Sequence, residues 1–124
     1  LLRRGRVEEQ PLSQFLEIVK SSLNAEGLRY VDGGKPARMV AVGGGHCSDE
    51  LMSAFEAGCD TFVTADIKYN EFWDAQALGM NLIDAGHFAT ENPVVAVLAE
   101  KIAAAFPGIQ VKISETHRDC MKFY

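Results

Sequence analysis

Three short apolar runs, each followed by a segment of helical spacing, constrain this chain more than any other feature. Arg38 to Val42, Thr61 to Thr64 and Met80 to Ile83 have the length of buried strands, and turn residues bound them. Ser48 opens the first intervening segment as an N-cap. Asp49 and Glu50 follow in the first turn, and Leu51, Met52 and Phe55 form the apolar side before Gly58. A second helix runs from about Asn70 to Leu78 and stops at Gly79. A third carries Val95, Leu98, Ile102 and Phe106 on one stripe and ends at Pro107-Gly108. Ile109 to Ile113 alternates and is expected to close the set as a strand. Strand, helix, strand, helix predicts an α/β fold: a mainly parallel or mixed sheet with helices on both faces.

Ahead of this core, Pro11 and Ser13 supply helix-start chemistry. Leu12, Phe15, Leu16, Val19 and Leu23 then give an amphipathic helix that ends near Asn24 to Gly27. Leu28 to Val31 reads as a short strand. Residues 1–10 are polar and irregular and are expected to form an arm or linker, leaving 11–124 as the domain. The opening Leu1-Leu2 reads as the interior of a longer polypeptide, of which this is a C-terminal portion.

At 124 residues with a net charge of -5, the chain has no basic patch beyond the short Arg3-Arg4-Gly5-Arg6 run, which argues against nucleic acid as a partner. No apolar run approaches the roughly 20 residues of a membrane span, and no signal-peptide pattern is present. Cys47, Cys59 and Cys120 are odd in number and lack metal-finger spacing. They read as free thiols, and the expected location is the cytoplasm.

In open α/β sheets the loops at the carboxyl ends of the strands line the ligand crevice. Three loops carry polar groups to that edge here: Gly43 to Ser48, Asp66 to Asn70, and Asp84 to Glu91. His87 and Glu91 are good ligands for zinc, manganese or iron, and their four-residue spacing puts them on one helical face. Taken alone, the two favour a structural role, with Glu91 near a helix start marked by Pro93. Asp66 either orients a ligand histidine or caps the next helix, and Asp84 has the same two readings. Lys68 and Tyr69 lie just beyond Asp66. Gly44 and Gly45 are read first as allowing close backbone packing and second as a phosphate cradle, since the run has no P-loop lysine. His117 and Cys120 are read first as solvated residues of a polar tail and second as a pair that could together bind a metal. His46 and Cys47 are adjacent and so are poorly placed to act as a nucleophilic pair.

Thr64-Ala65-Asp66-Ile67-Lys68-Tyr69, taken with Leu82-Ile83-Asp84-Ala85-Gly86-His87-Phe88-Ala89-Thr90-Glu91, resembles the C-terminal half of the NIF-three-like family. These are dinuclear-metal proteins often labelled GTP cyclohydrolase I type II. Gly5-Arg6-Val7 looks like the glycine-arginine turn that precedes this half, and the run at Gly43 to Gly45 and Ala57-Gly58-Cys59-Asp60 sit in corresponding places. Asn70 departs from a frequent histidine, and Ala65 from a frequent glycine. The resemblance implies two divalent metals (zinc, iron or manganese) between two similar α/β halves. His87 and Glu91 would be the ligands from this half, with Glu91 also able to take a proton from water. The other half's histidine pair and aspartate have no counterpart here. It further implies a homohexamer acting on a small molecule in hydrolase-type chemistry. The alternatives are a metal-binding scaffold or protein-interaction module without turnover, and a nucleotide sensor working through the glycine run.

Overall fold

The structure, a computed structural model, describes residues 2–124. Five strands form one mixed sheet in the order β1-β3-β4-β5-β2, with β1 (Arg3–Gln10), β2 (Arg29–Val31), β3 (Ala37–His46), β4 (Thr61–Ala65) and β5 (Asn81–Asp84). The three central strands are parallel, and both edge strands run antiparallel to their neighbours. The α/β expectation therefore holds, in its mixed form.

Period-two alternation explains why the sheet carries a core on each face. Val40, Val63 and Ile83 point to one side, where α1 (Leu12–Leu23) lays down Leu12, Phe15 and Val19. Ala41, Phe62 and Leu82 point to the other. There they meet Leu51 and Ala54 of α2 (Leu51–Glu56) and Ala75 of α3 (Tyr69–Leu78). Phe62, Leu82 and Ile83 are wholly buried. A buried side chain of that size contributes roughly 1.5–3 kcal/mol of transfer free energy. Helix ends follow local chemistry: α1 stops at Asn24, which takes the left-handed conformation at φ 50°, and α3 stops at Gly79 at φ 64°.

The structure corrects four sequence expectations. Residues 3–10 are a strand rather than an arm, pairing through Arg3↔Val42 to Arg6↔Met39 before the register shifts ahead of Gln10↔Ala37. An edge strand needs one row of backbone hydrogen bonds and tolerates charge, so RRGRVEEQ can serve without an apolar pattern. Gly5-Arg6-Val7 accordingly lies within β1 and is not a turn. Ile109 to Ile113 forms no strand. The sheet ends at β1 and β2, and the segment pairs with neither. The glycine run is the end of β3 rather than a loop beyond it.

The fourth correction concerns the last helix. It is two pieces, α4 (His87–Glu91) and α5 (Pro93–Ala105), with Pro93 at the first turn of the second. Proline has no N–H to continue the ladder of α4. Glu91 therefore ends a short helix instead of opening a long one. α5 buries no residue, and the stripe read as a core face leaves Leu98, Ile102 and Phe106 in solvent. Among the described residues no helix is long and apolar enough to cross a membrane.

Candidate metal centre

Because β3, β4 and β5 run parallel, their carboxyl ends deliver His46, Asp66 and Asp84 to the same edge. The chain after β5 turns through Gly86 at φ 85° and enters α4 at His87. That backbone conformation favours glycine. His87 and Glu91 then lie one helical turn apart, with His87 Nε2 3.2 Å from Glu91 Oε2. The other ring nitrogen, Nδ1, is 2.6 Å from Asp66 Oδ2. Asp66 itself sits at φ 53°, in the left-handed region that aspartate enters more readily than most residues.

Of the two readings for Asp66, the structure places it on the histidine; the residue before α3 is Lys68. An aspartate accepting the Nδ1 proton fixes the tautomer and leaves the Nε2 lone pair free for a cation. The hydrogen bond to Asp66 holds the His87 imidazole above its ordinary range, with the Glu91 charge acting in the same direction.

α4 can lie against β3 because two residues of that strand have no side chain. A Cβ at Gly45 would overlap Glu91 Oε1, and one at Gly44 would stand 3.1 Å from the Thr90 carbonyl oxygen. Gly45 also adopts φ 63° and donates its N–H to Thr90 Oγ1 at 2.9 Å. Close packing is thus the role the structure gives these glycines. Asp84 is buried beneath the site. Its Oδ2 accepts from the Arg29 guanidinium and, at 3.2 Å, from the Ile67 N–H, while Oδ1 accepts from the Gly86 N–H at 3.0 Å. One carboxylate thereby ties β2 to the loop after β4 and to the turn before α4.

Lys68 and Tyr69 do not join this group. Lys68 Nζ stands 3.9 Å from Asp49 and 4.0 Å from Glu71, beside a neighbouring cavity that Ser48 and Asn70 also line. Tyr69 is exposed and packs edge-on against Trp73. His46 pairs with Asp49 at 3.4 Å, and Cys47 is buried. Burial pushes the Cys47 and Cys59 thiols up, away from nucleophilic use.

Sequence reasoning passed over Thr90 and Arg29, which act through backbone and buried partners and leave no spacing signal. The tail reads from sequence only as polar and solvated, with no indication of its distance from the site. The structure instead folds residues 117–121 back toward α4, with the His117 ring 5.3 Å from that of Phe88. An open cavity of about 580 Å³ lies between, walled by Asp66, His87 and Glu91, by the start of α5 and by the tail.

The donor set suits a divalent cation. Two ligand atoms each about 2.1 Å from one metal stand roughly 3.0–3.4 Å apart. The Nε2–Oε2 separation of 3.2 Å falls within that range. Among the described residues, no group of three or more His, Cys, Asp or Glu converges to hold a metal alone.

A mixed α/β sheet with a histidine and a glutamate at its carboxyl edge, the histidine steered by an aspartate, defines the class. Residues 1–120 match the family model Duf34/NIF3 (NGG1p interacting factor 3), and the chain belongs to that family. It is 29% identical over 125 residues to a protein of Clostridium perfringens named GTP cyclohydrolase 1 type 2 homolog, covering 96% of this chain and 48% of that protein. It is 32% identical over 127 residues to the Bacillus subtilis protein of the same name, covering 96% and 34%. Among solved structures, a hypothetical protein of Staphylococcus aureus superposes with a TM-score of 0.91 at 28% identity, over 100% of this chain and 43% of that one. A Bacillus cereus protein related to NIF3 gives 0.83 at 36% identity, over 100% and 36%. The chain spans about half the length, or less, of the curated relatives it matches.

Proposed function

We propose that this chain is the C-terminal metal-site portion of a dinuclear metal protein with hydrolase-type chemistry, in which His87 and Glu91 hold the metal. The observation that carries the reading is the His87 ring itself, with Nδ1 on Asp66 and Nε2 facing Glu91 at ligand-pair separation. Divalent zinc, iron or manganese bound there would polarise an electrophile and bring the pKa of a water toward neutrality. The chain's residues divide the remaining work. Asp66 fixes the ring, Glu91 acts as ligand and is the carboxylate placed to take a proton from water, and Asp84 holds the two loops in register.

The relatives' shared name points to a purine nucleotide as one substrate, and a phosphoester or amide is equally compatible with these residues. The remaining ligands come from outside this chain, either from the rest of a longer protein or from another copy, consistent with the homohexamer that the family resemblance implies.

The test has two parts. Elemental mass spectrometry on the protein with its remaining ligands in place, and on its His87→Ala variant, is expected to find bound metal that the variant loses; equal metal in both refutes the ligand assignment. A panel of nucleotides, phosphoesters and amides with metal added is expected to show turnover that Glu91→Gln removes. Metal retained without turnover on any of them would favour the non-catalytic scaffold.

A further inference from the structure

The C-terminal tail is fastened on both sides of the residues that face the cavity. Before them, the His117 ring packs against Phe88, the residue that follows His87. After them, Lys122 Nζ stands 3.8 Å from Glu26 Oε1, and the Phe123 ring fills the space over Gly27, where a Cβ would overlap it. Glu26 and Gly27 belong to the turn between α1 and β2, so the tail runs from α4 to that turn as a strap. Between the anchors, the Asp119 carboxylate accepts the Met121 N–H at 2.9 Å, which curls the backbone locally. His117 and Arg118 line the cavity together with His87, Glu91 and Asp66.

The two walls of this cavity differ in chemistry. On the α4 side, Asp66 and Glu91 are both engaged with His87. On the strap side, neither the Arg118 guanidinium nor the His117 ring has a hydrogen-bond or ion-pair partner among the described residues, although both face the cavity. Asp119 also lines the cavity; its Oδ1 accepts the Met121 N–H, and the carboxylate makes no ion pair with Arg118. A guanidinium without a carboxylate partner, set across a pocket from a cation site, matches the two oxygens of a planar or tetrahedral oxyanion.

We infer that the strap is the recognition wall of this site, with Arg118 holding an oxyanionic group of the substrate and His117 positioning it toward His87 and Glu91. The inference rests on the metal-centre reading for its orientation, since cations at His87 and Glu91 would attract the same anion from the opposite side. A phosphate or a carboxylate supplies the shared chemistry, and separate probes distinguish them.

The experiment is calorimetric titration of inorganic phosphate, and separately of acetate, into the full chain with and without manganese. The proteins compared are the unaltered chain, Arg118→Ala, Arg118→Lys and His117→Ala, with metal content measured on each sample. His117 and Arg118 are exposed, so these variants are expected to keep the domain fold, and the Arg118 variants leave both anchors of the strap in place. Arg118→Ala should weaken oxyanion binding about tenfold or more, which is the scale of a charge-assisted pair. Arg118→Lys should recover part of it, and metal content should not change. Binding of phosphate over acetate would assign a phosphate-bearing substrate, and the reverse a carboxylate. If Arg118→Ala and His117→Ala titrate like the unaltered chain, or no oxyanion binds, the strap is not a recognition wall. Metal uptake bears on the metal-centre reading alone, and the Arg118 comparison without manganese decides the strap whatever the metal content.

Discussion

Asp84 and Asp66 close neighbouring parallel strands of one sheet, and the sequence offers the same two readings for both. The structure separates them. Asp84 has a side chain 7% exposed and three donors from three segments, whereas Asp66 is 47% exposed and holds a single histidine. A carboxylate with many buried partners serves stability, because removing it strands each donor it satisfied. A half-exposed carboxylate with one imidazole partner serves that imidazole. The same residue type at the same kind of position is thus divided by burial into scaffold and site.

The largest effect should come from Asp84→Ala, which leaves the Ile67 and Gly86 N–H groups without their acceptor. We expect a loss of about 3 kcal/mol in urea unfolding. A loss below about 1 kcal/mol would place Asp84 with Asp66 and remove the contrast. Asp66→Asn should act the other way, costing under about 1 kcal/mol of stability while lowering metal affinity about 10–100-fold, as loss of a partner behind a histidine ligand does.

The same pair sets a pH signature. Asp66 raises the His87 pKa, so their interaction stabilises the metal-free fold fully below the unfolded histidine range and is lost as pH rises through the folded value. Metal must displace the proton from Nε2, so its affinity should fall as pH drops through that raised value. In Asp66→Asn both dependences should shift toward lower pH. An unshifted metal-binding profile would show that Asp66 does not govern this ring.

A second contrast, between α1 and α5, shows what the sequence could and could not disclose. Both carry apolar stripes at helical spacing. α1 buries Leu12, Phe15 and Val19 against the sheet, while α5 buries nothing. Spacing reports which face is apolar, and only the tertiary arrangement says whether anything covers it. Strands β3, β4 and β5 were legible because both of their faces are buried and their apolar runs are bounded by turns. β1 was not, because an edge strand owes its place to backbone pairing that polar side chains do not announce. The proximity of His87 and Glu91 on one helical face was legible by spacing. The grip of Asp66 on Nδ1 was one of two equal readings, decided only by the geometry after β4. The approach of the tail was not legible, since its anchors at Phe88, Glu26 and Gly27 are distant in sequence. The smallest predicted effect belongs here: Leu98→Ser on exposed α5 should change stability in this chain by no more than about 0.5 kcal/mol, whereas Val19→Ala in α1 should cost more than 1 kcal/mol by the usual price of a buried apolar truncation. Equal losses in unfolding would mean that α5 is packed after all.

The most direct test of the central claim is nitrogen-15 NMR of the His87 imidazole during zinc titration, with Asp66→Asn as the comparison. The account predicts that Nε2 shifts on zinc addition while Nδ1 keeps its proton and its bond to Asp66, and that the variant needs more zinc for the same change. Coordination through Nδ1, or zinc uptake that leaves the His87 ring unaltered, would contradict it.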